Sequence, residues 1–262
     1  MVAMPAIAIQ AGVRVADQRY APGTVHARHA HGTMSVSLVL AGSVSERVGR
    51  RHVMAGPLSI VVKPVGVEHA NEFGARGARL MQVGLHASQS VSVVAANPAL
   101  TEWDWHLHSG AVPAFLALLA AWRRGAGPDL LENLVWELLA GLAHDVTSTS
   151  YGVPRWLSRV IEEVHDSPGL SVRNLAQTAQ VHPVYLARQF RRYLKCSITE
   201  YRRRRRVIEV TERLAAPSAS GRSESLSRIA LDAGFYDQPH LCRDFRREMG
   251  MTPAAFQRLA RG

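Results

Sequence analysis

Three histidines, His29, His31 and His69, stand in HARHAH (26–31) and PVGVEHAN (64–71). A neutral imidazole offers a lone pair to Zn²⁺ or a similar divalent ion, and three of them with an open fourth position make a ligand-binding or reactive metal site. Spacing decides whether they can meet. His29 and His31 are two apart and share one face of a strand, while His26 falls on the other. His69 follows a Pro-x-Gly turn on a later strand, so the fold must bring two strands together. The same three side chains could instead line the pocket of a small organic effector or make ordinary buried hydrogen bonds. No paired carboxylates, no nucleophile beside a base and no phosphate-cradling glycine loop accompany them. An enzyme would therefore rest on the metal alone, as a dioxygenase or isomerase, and the expectation is a protein that is not an enzyme.

The second concentration of chemistry is cationic. In GFYDQPHLCRDFRREMG (234–250), Leu241, Phe245 and Met249 recur at the spacing of one buried helix face. That turns Pro239, Arg243 and Arg246 outward, with Cys242 and Arg247 on the flanks. The arrangement occurs twice. SVRNLAQTAQVHPVYLARQFRRYLKCSITEYRR (171–203) superposes on SLSRIALDAGFYDQPHLCRDFRREMGMTPAAFQR (225–258) with a one-residue insertion in the turn. Leu175, Ala176, Ala179 and Val181 match Ile229, Ala230, Ala233 and Phe235. Leu186, Arg188, Phe190, Arg191, Arg192 and Tyr201 match Leu241, Arg243, Phe245, Arg246, Arg247 and Phe256. Each unit reads as a short helix, a turn and a second helix, with alanines that let the two helices approach, which is helix-turn-helix geometry. Gly234 suits a left-handed helix end, Asp237 is a good N-cap, and Pro183 and Pro239 sit in the first turn, where a missing amide hydrogen costs little. The first unit exposes Val184, Ala187, Arg188 and Arg191. One basic helix face is ordinarily a solvated surface, but the same face built twice points to a polyanion.

Residues 155–262, and IALDAGFYDQPHLCRDFRREMGMTPAAFQ above all, resemble the DNA-binding domain of the AraC/XylS family of bacterial transcription regulators. The resemblance implies two helix-turn-helix units, near 171–194 and 225–249, joined by a linker helix over 198–216. Their recognition helices would enter successive major grooves on one face of the duplex, about 34 Å apart. Carried over by motif position, it implies base-edge contacts from Val184, Ala187 and Arg188 in the first unit and Gln238, His240, Cys242 and Arg243 in the second. Arg191, Arg192, Arg246 and Arg247 would hold phosphates. It also implies promoter DNA and RNA polymerase as partners, an effector bound by the N-terminal domain, and activation of transcription. Two features depart from the pattern: APSASGRSES (216–225) lengthens the loop before the second unit, and a thiol, Cys242, occupies a contact position. The run Arg202 to Arg206 lies on the linker helix, where phosphate contact or solvation is expected. A non-specific DNA-compacting protein would need no pair of separate readers.

These groups need two domains to position them. Residues 13–90 carry short apolar runs, VSLVLA (36–41) and LSIVV (58–62), with turns expected at Gly42, Gly49, Gly56 and Gly66. HAH (29–31) and the P-x-G-x-x-H of 64–69 are similar to the two motifs of cupin barrels, the sensor fold that the AraC/XylS resemblance also implies. Metal-holding cupins add a glutamate a few residues after the second histidine. Ser35, Val36 and Ser37 occupy that stretch, so the carboxylate ligand is missing. PAFLALLAAWRR (113–124) and DLLENLVWELLAGLAHDV (129–146) predict a helical hairpin whose Leu130, Leu134, Glu137, Leu138, Gly141 and Leu142 face the sheet or a second copy in a homodimer. The expected fold is a mainly β cupin-like barrel with a helical hairpin over residues 1–147, a linker over 148–154 (within VTSTSYGVP), and an all-α double helix-turn-helix over 155–262. Charge divides the same way. Residues 1–150 hold 11 Lys/Arg against 10 Asp/Glu, and residues 151–262 hold 20 against 11. Two cysteines, Cys196 and Cys242, are too few for a disulfide framework. With no basic-then-apolar leader and no apolar run near about 18 residues, neither export nor a membrane partner is expected, and the expected location is the cytoplasm.

Overall fold

The computed structural model describes residues 7–9, 12–86, 98–106, 109–146, 154–167, 169–194, 196–216 and 224–261. Eight antiparallel strands form the N-terminal half: β1 (Ile7–Ile9), β2 (Val13–Tyr20), β3 (Val25–His29), β4 (Met34–Val48), β5 (Arg51–Ala55), β6 (Ile60–Lys63), β7 (His69–Leu85) and β8 (Asp104–His106). β4 and β7 pair along most of their length, and each takes a different outer partner in its two halves. One half of the sheet runs β1-β2-β7-β4-β6-β8, and the other adds β3 to β7 and β5 to β4. The bend between the halves lies at Gly42 and Gly77, with φ of +75° and +71° and a register shift beside Gly42. A Cβ on Gly42 would stand 2.0 Å from the Gly77 carbonyl oxygen, so no side chain fits. Gly42 thus sits in a β-bulge inside a long strand, not at the turn expected there, whereas Gly49 and Gly66 lie in turns.

Strand alternation sorts the apolar side chains onto two faces. Val36, Leu38, Leu40, Ile60, Val62, Met81 and Val83 point toward the helices. Val39, Val44, Val61, Phe73, Leu80, Trp103 and Trp105 fill the opposite, inner face. The helical hairpin is α1 (Val112–Arg123) and α2 (Pro128–Val146). Its buried stripe on α2 is Leu131, Val135, Leu138, Leu139 and Leu142. Leu130 is 52% exposed and Leu134 and Gly141 are half-buried, so the face expected from sequence is rotated by about one position.

The C-terminal half is helical: α3 (Arg155–Asp166), α4 (Val172–Thr178), α5 (Pro183–Leu194), α6 (Ile198–Ala215), α7 (Leu226–Asp232), α8 (Gln238–Met249) and α9 (Pro253–Arg261). It has two cores. Leu157, Val160, Leu175, Leu186, Phe190, Ile198 and Tyr201 make a separate core for the first helix-turn-helix unit. Ile229, Phe235, Leu241 and Phe245 of the second unit, with Val207 and Val210 of α6 and Phe256 of α9, instead continue into Leu38, Phe115 and Leu119 of the sheet and hairpin. The second unit therefore shares its core with the N-terminal domain, and the first joins it through α6. The expected linker over 148–154 falls, except for Pro154, outside the described residues.

A buried charge cluster locks this union. Asp17 on β2 is fully buried and accepts hydrogen bonds from Arg79 Nε at 2.9 Å, Arg79 Nη2 at 2.6 Å and Arg123 Nη2 at 2.6 Å. Each arginine then reaches across to the end of α9: Arg79 Nη1 donates to the Ala260 carbonyl, and Arg123 Nη1 to the Leu259 carbonyl at 2.6 Å. The last carbonyls of a helix have no partner within it and sit at the negative end of its dipole, so two cations there satisfy both needs.

Candidate nucleic-acid interface and sensor cluster

Local sequence caps the first helix of each unit, α4 and α7, and the second helix of the second unit, α8. Ser171 Oγ accepts from the Asn174 amide at 3.1 Å, Ser225 Oγ from the Arg228 amide at 3.3 Å, and an Asp237 carboxylate oxygen from the His240 amide at 2.6 Å. Each oxygen satisfies an amide that a helix start leaves unpaired. α8 stops at Gly250, which is left-handed with φ +68°. α6 begins with a reciprocal capping box: the Ser197 amide donates to Glu200 at 2.7 Å and the Glu200 amide to Ser197 Oγ at 3.2 Å. The serine and glutamate of SITE (197–200) carry that signal in the sequence.

Leu186 and Phe190, like Leu241 and Phe245, are buried. Val184, Ala187, Arg188, Arg191 and Arg192 on α5 and Gln238, Arg243, Arg246 and Arg247 on α8 are exposed, and Cys242 is half-buried. His240 is drawn inward. Its Nδ1 accepts from the Tyr236 amide at 3.4 Å, its Nε2 lies 3.3 Å from buried Asp244, and its ring packs edge-on against Phe235. Gln238 Oε1 accepts from Ser227 Oγ at 2.8 Å, and its amide nitrogen has no partner among the described residues. Val184 and Tyr236 stand out at 69% and 85% exposure on the units' surface.

Within the arginine run on α6, Arg205 is exposed and the other four meet partners inside the protein. Arg203 and Arg204 both hold Glu248 on α8, at 2.7 and 3.1 Å. Arg202 donates to the Leu170 carbonyl beside the first unit, and Arg206 donates to the Gly234 carbonyl of the second unit's turn at 2.8 Å. α6 is thereby pinned to both helix-turn-helix units. The long loop at 216–225 has residues 217–223 outside the described set.

In the N-terminal domain, pairing of β3 with β7 brings His29 opposite His69. The ring centroids of His29, His31 and His69 lie 4.4 to 5.0 Å apart, and one nitrogen from each lies within 4.8 Å of the other two. His29 Nδ1 donates to the Ala27 carbonyl at 2.8 Å and His69 Nδ1 to the Val67 carbonyl at 3.0 Å, which leaves each Nε2 with a free lone pair. His69 Nε2 is buried with no hydrogen-bond partner among the described residues. Burial and the neighbouring His69 and Lys63 hold the His31 pKa down at about 4, and burial with Lys63 also lowers that of His69. Both rings are therefore neutral near pH 7 and able to act as ligands. His26 joins the group at 5.8 Å from His29. A register shift between His26 and His29 undoes the strand alternation that put His26 on the opposite face.

Sequence spacing also missed a carboxylate. Glu46, fully buried on β4, has Oε1 3.8 Å from His69 Nε2 and 2.5 Å from Lys63 Nζ. Its Oε2 accepts from Trp103 Nε1 at 2.9 Å and Trp105 Nε1 at 2.6 Å. It enters from further along β4 than the Ser35–Ser37 stretch where a ligand was sought, so a carboxylate does adjoin the cluster.

Comparison with known proteins follows this division. Residues 175–259 match the helix-turn-helix domain family and residues 11–139 the AraC-like ligand binding domain. The chain is 29% identical over 103 residues to the probable transcription factor PqrA of Proteus vulgaris, covering 39% of this chain and 78% of that protein. It is 32% identical over 97 residues to the regulatory protein SoxS of Salmonella typhimurium, covering 37% and 85%. Among solved structures, ToxT from Vibrio cholerae aligns over 96% of this chain and all of its own, at 8% identity and a TM-score of 0.40. With a ligand-binding domain matched ahead of two capped helix-turn-helix units, the chain belongs to the AraC/XylS family of transcription regulators.

Proposed function

We propose that this regulator reads promoter DNA with α5 and α8 in successive major grooves and that its N-terminal domain responds to an effector at the His29, His31 and His69 cluster. The observation that carries the reading is the duplicated exposed face, in which Arg188 and Arg243 occupy equivalent positions above Leu186/Phe190 and Leu241/Phe245. Arginine pairs bidentately with guanine O6 and N7, and the more peripheral Arg191, Arg192, Arg246 and Arg247 are placed to hold phosphates. Activation through RNA polymerase, a homodimer formed by the hairpin and a cytoplasmic location belong to the same reading. Arg246→Ala is expected to weaken all DNA sequences alike and to lower the slope of log affinity against log salt by about 0.9. Titrating two unrelated duplexes across a salt series checks it, and a sequence-selective loss would remove Arg246 from the phosphate set.

The three imidazoles fit a divalent metal: two have their Nδ1 hydrogens bonded to carbonyls, and His69 Nε2 is buried without a partner. His29, His31 and His69 would hold the ion, with Glu46 beside it and Lys63 already balancing the carboxylate. Full-length protein purified without chelators is expected to carry near-stoichiometric metal by elemental analysis, and a His29→Ala/His69→Ala variant none. Folded wild-type protein without metal would leave the cluster as the lining of an organic effector's pocket.

A further inference from the structure

Six of the seven arginines placed on α6 and α7 are individually accounted for by a partner, yet the charges along one side of α6 do not balance. Arg203 and Arg204 share Glu248, and Arg213 holds both Glu224 and Asp232, so these three meet carboxylates. Arg228 pairs with Asp232. Arg202 and Arg206 meet only backbone carbonyls, with Arg206 also 4.9 Å over the Phe235 ring. Arg205 is exposed and has no ion pair or hydrogen bond among the described residues. Three guanidiniums thus follow one another on a single helix side, where like charges three and four residues apart repel. Burial, and then the charge of Arg206, lower the pKa of Arg202. The Nε hydrogens of Arg202 and Arg206 have no acceptor among the described residues.

These three arginines line a cavity of about 700 Å³ between the two helix-turn-helix units. Its walls come from both: Val164 and Gly169 beside the first unit, and Asp232, Ala233 and Gly234 of the second, with α6 as the floor. The space is many times the roughly 30 Å³ share of one water. Three carboxylates also line it. Asp232 is taken by Arg213 and Arg228, and Glu212 lies 3.6 Å from Arg76, which leaves Glu209, on α6 itself, as the one carboxylate to set against three cations. Thr199 adds a hydroxyl donor.

We propose that this inter-unit groove is a phosphate-binding site, with Arg202, Arg205 and Arg206 as its cationic side and a phosphodiester of the bound duplex as its occupant. Guanidinium forks match the oxygens of phosphate, and a pocket walled by low-dielectric protein strengthens that attraction. A strand that passes between two successive major grooves carries phosphates across the gap between the readers. The site would then sense whether both units are engaged at once. The inference builds on the two-groove reading for its occupant and on the groove's own charge for its chemistry.

The test uses full-length protein and the variants Arg205→Gln and Arg202→Gln/Arg205→Gln. Arg205→Gln removes an exposed side chain with no ion pair or hydrogen bond among the described residues, so the fold should be unchanged by circular dichroism. Binding to a fixed duplex is measured across a salt series, and binding of inorganic phosphate to DNA-free protein by calorimetry. The expected result is a salt slope lower by about 0.9 in Arg205→Gln, with unchanged preference between sequences. An unchanged slope together with phosphate binding that is present in wild type and lost in Arg205→Gln would keep the site and make its occupant a free phosphate compound. Unchanged slope and no phosphate binding that depends on Arg205 would overturn the proposal. Should wild-type protein fail to bind any duplex, the DNA-reading role falls while the phosphate titration still decides the groove.

Discussion

Asp17→Ala is expected to destabilise the sheet, the hairpin and the second helix-turn-helix unit together by about 3–5 kcal/mol, the usual cost of removing one partner from a buried ion pair. Asp17 is fully buried and Arg79 is only 6% exposed, so the substitution strands a guanidinium away from water. Arg123, less buried, can swing outward and recover part of the loss. Both arginines also lose the carboxylate that aims them at the Leu259 and Ala260 carbonyls, and the end of α9 should fray. The first unit has its own core and should keep its stability. Urea unfolding combined with hydrogen exchange resolves the two. Slowed exchange lost in residues 253–261 and in β2, with residues 172–194 unaffected, is the expected pattern. A loss under about 1 kcal/mol, or one shared equally by the first unit, would contradict the latch.

Removing both arginines that we propose to read bases should have the largest effect on recognition. On the proposed reading, Arg188→Ala and Arg243→Ala each delete one bidentate guanine contact, worth about 1–3 kcal/mol of discrimination. They lie on separate units with separate cores, so their effects should add in the double variant. The predicted loss is about 2–6 kcal/mol on a cognate site and far less on unrelated DNA, which collapses the ratio between them. Neither side chain is expected to support the fold: both are exposed, and among the described residues Arg188 has no hydrogen bond or ion pair, with a 5.9 Å approach to the Tyr185 ring. Thermal stability should therefore stay at the wild-type value. Equal losses on cognate and unrelated DNA would turn both arginines into phosphate contacts.

The reading half of the molecule was legible because its signals are local. Helical spacing put Leu241, Phe245 and Met249 inward and Arg243 and Arg246 outward, and Asp237 and Pro239 marked the start of α8. The duplication then gave a second, independent sample of the same pattern. The sensor half was legible only as far as His29, His31 and His69, whose neighbourhood depends on one strand pairing. What stayed hidden depends on contacts between distant residues. Glu46 reaches His69 because β4 and β7 lie side by side, and Asp17 meets Arg123 across more than a hundred residues of chain. Bulges broke the alternation rule at His26 and turned an expected turn at Gly42 into a bend within a strand. The α6 arginines looked alike in sequence, and only the positions of Glu248, Leu170 and Gly234 distinguish them.

Selection of bound sites from random-sequence duplexes by the full-length protein tests the central claim most directly. Two readers in successive major grooves predict an enriched site with two short elements spaced about one helical turn apart, a guanine in each, and loss of one guanine preference in Arg188→Ala and of the other in Arg243→Ala. Enrichment of a single element, or of no sequence at all, would contradict it.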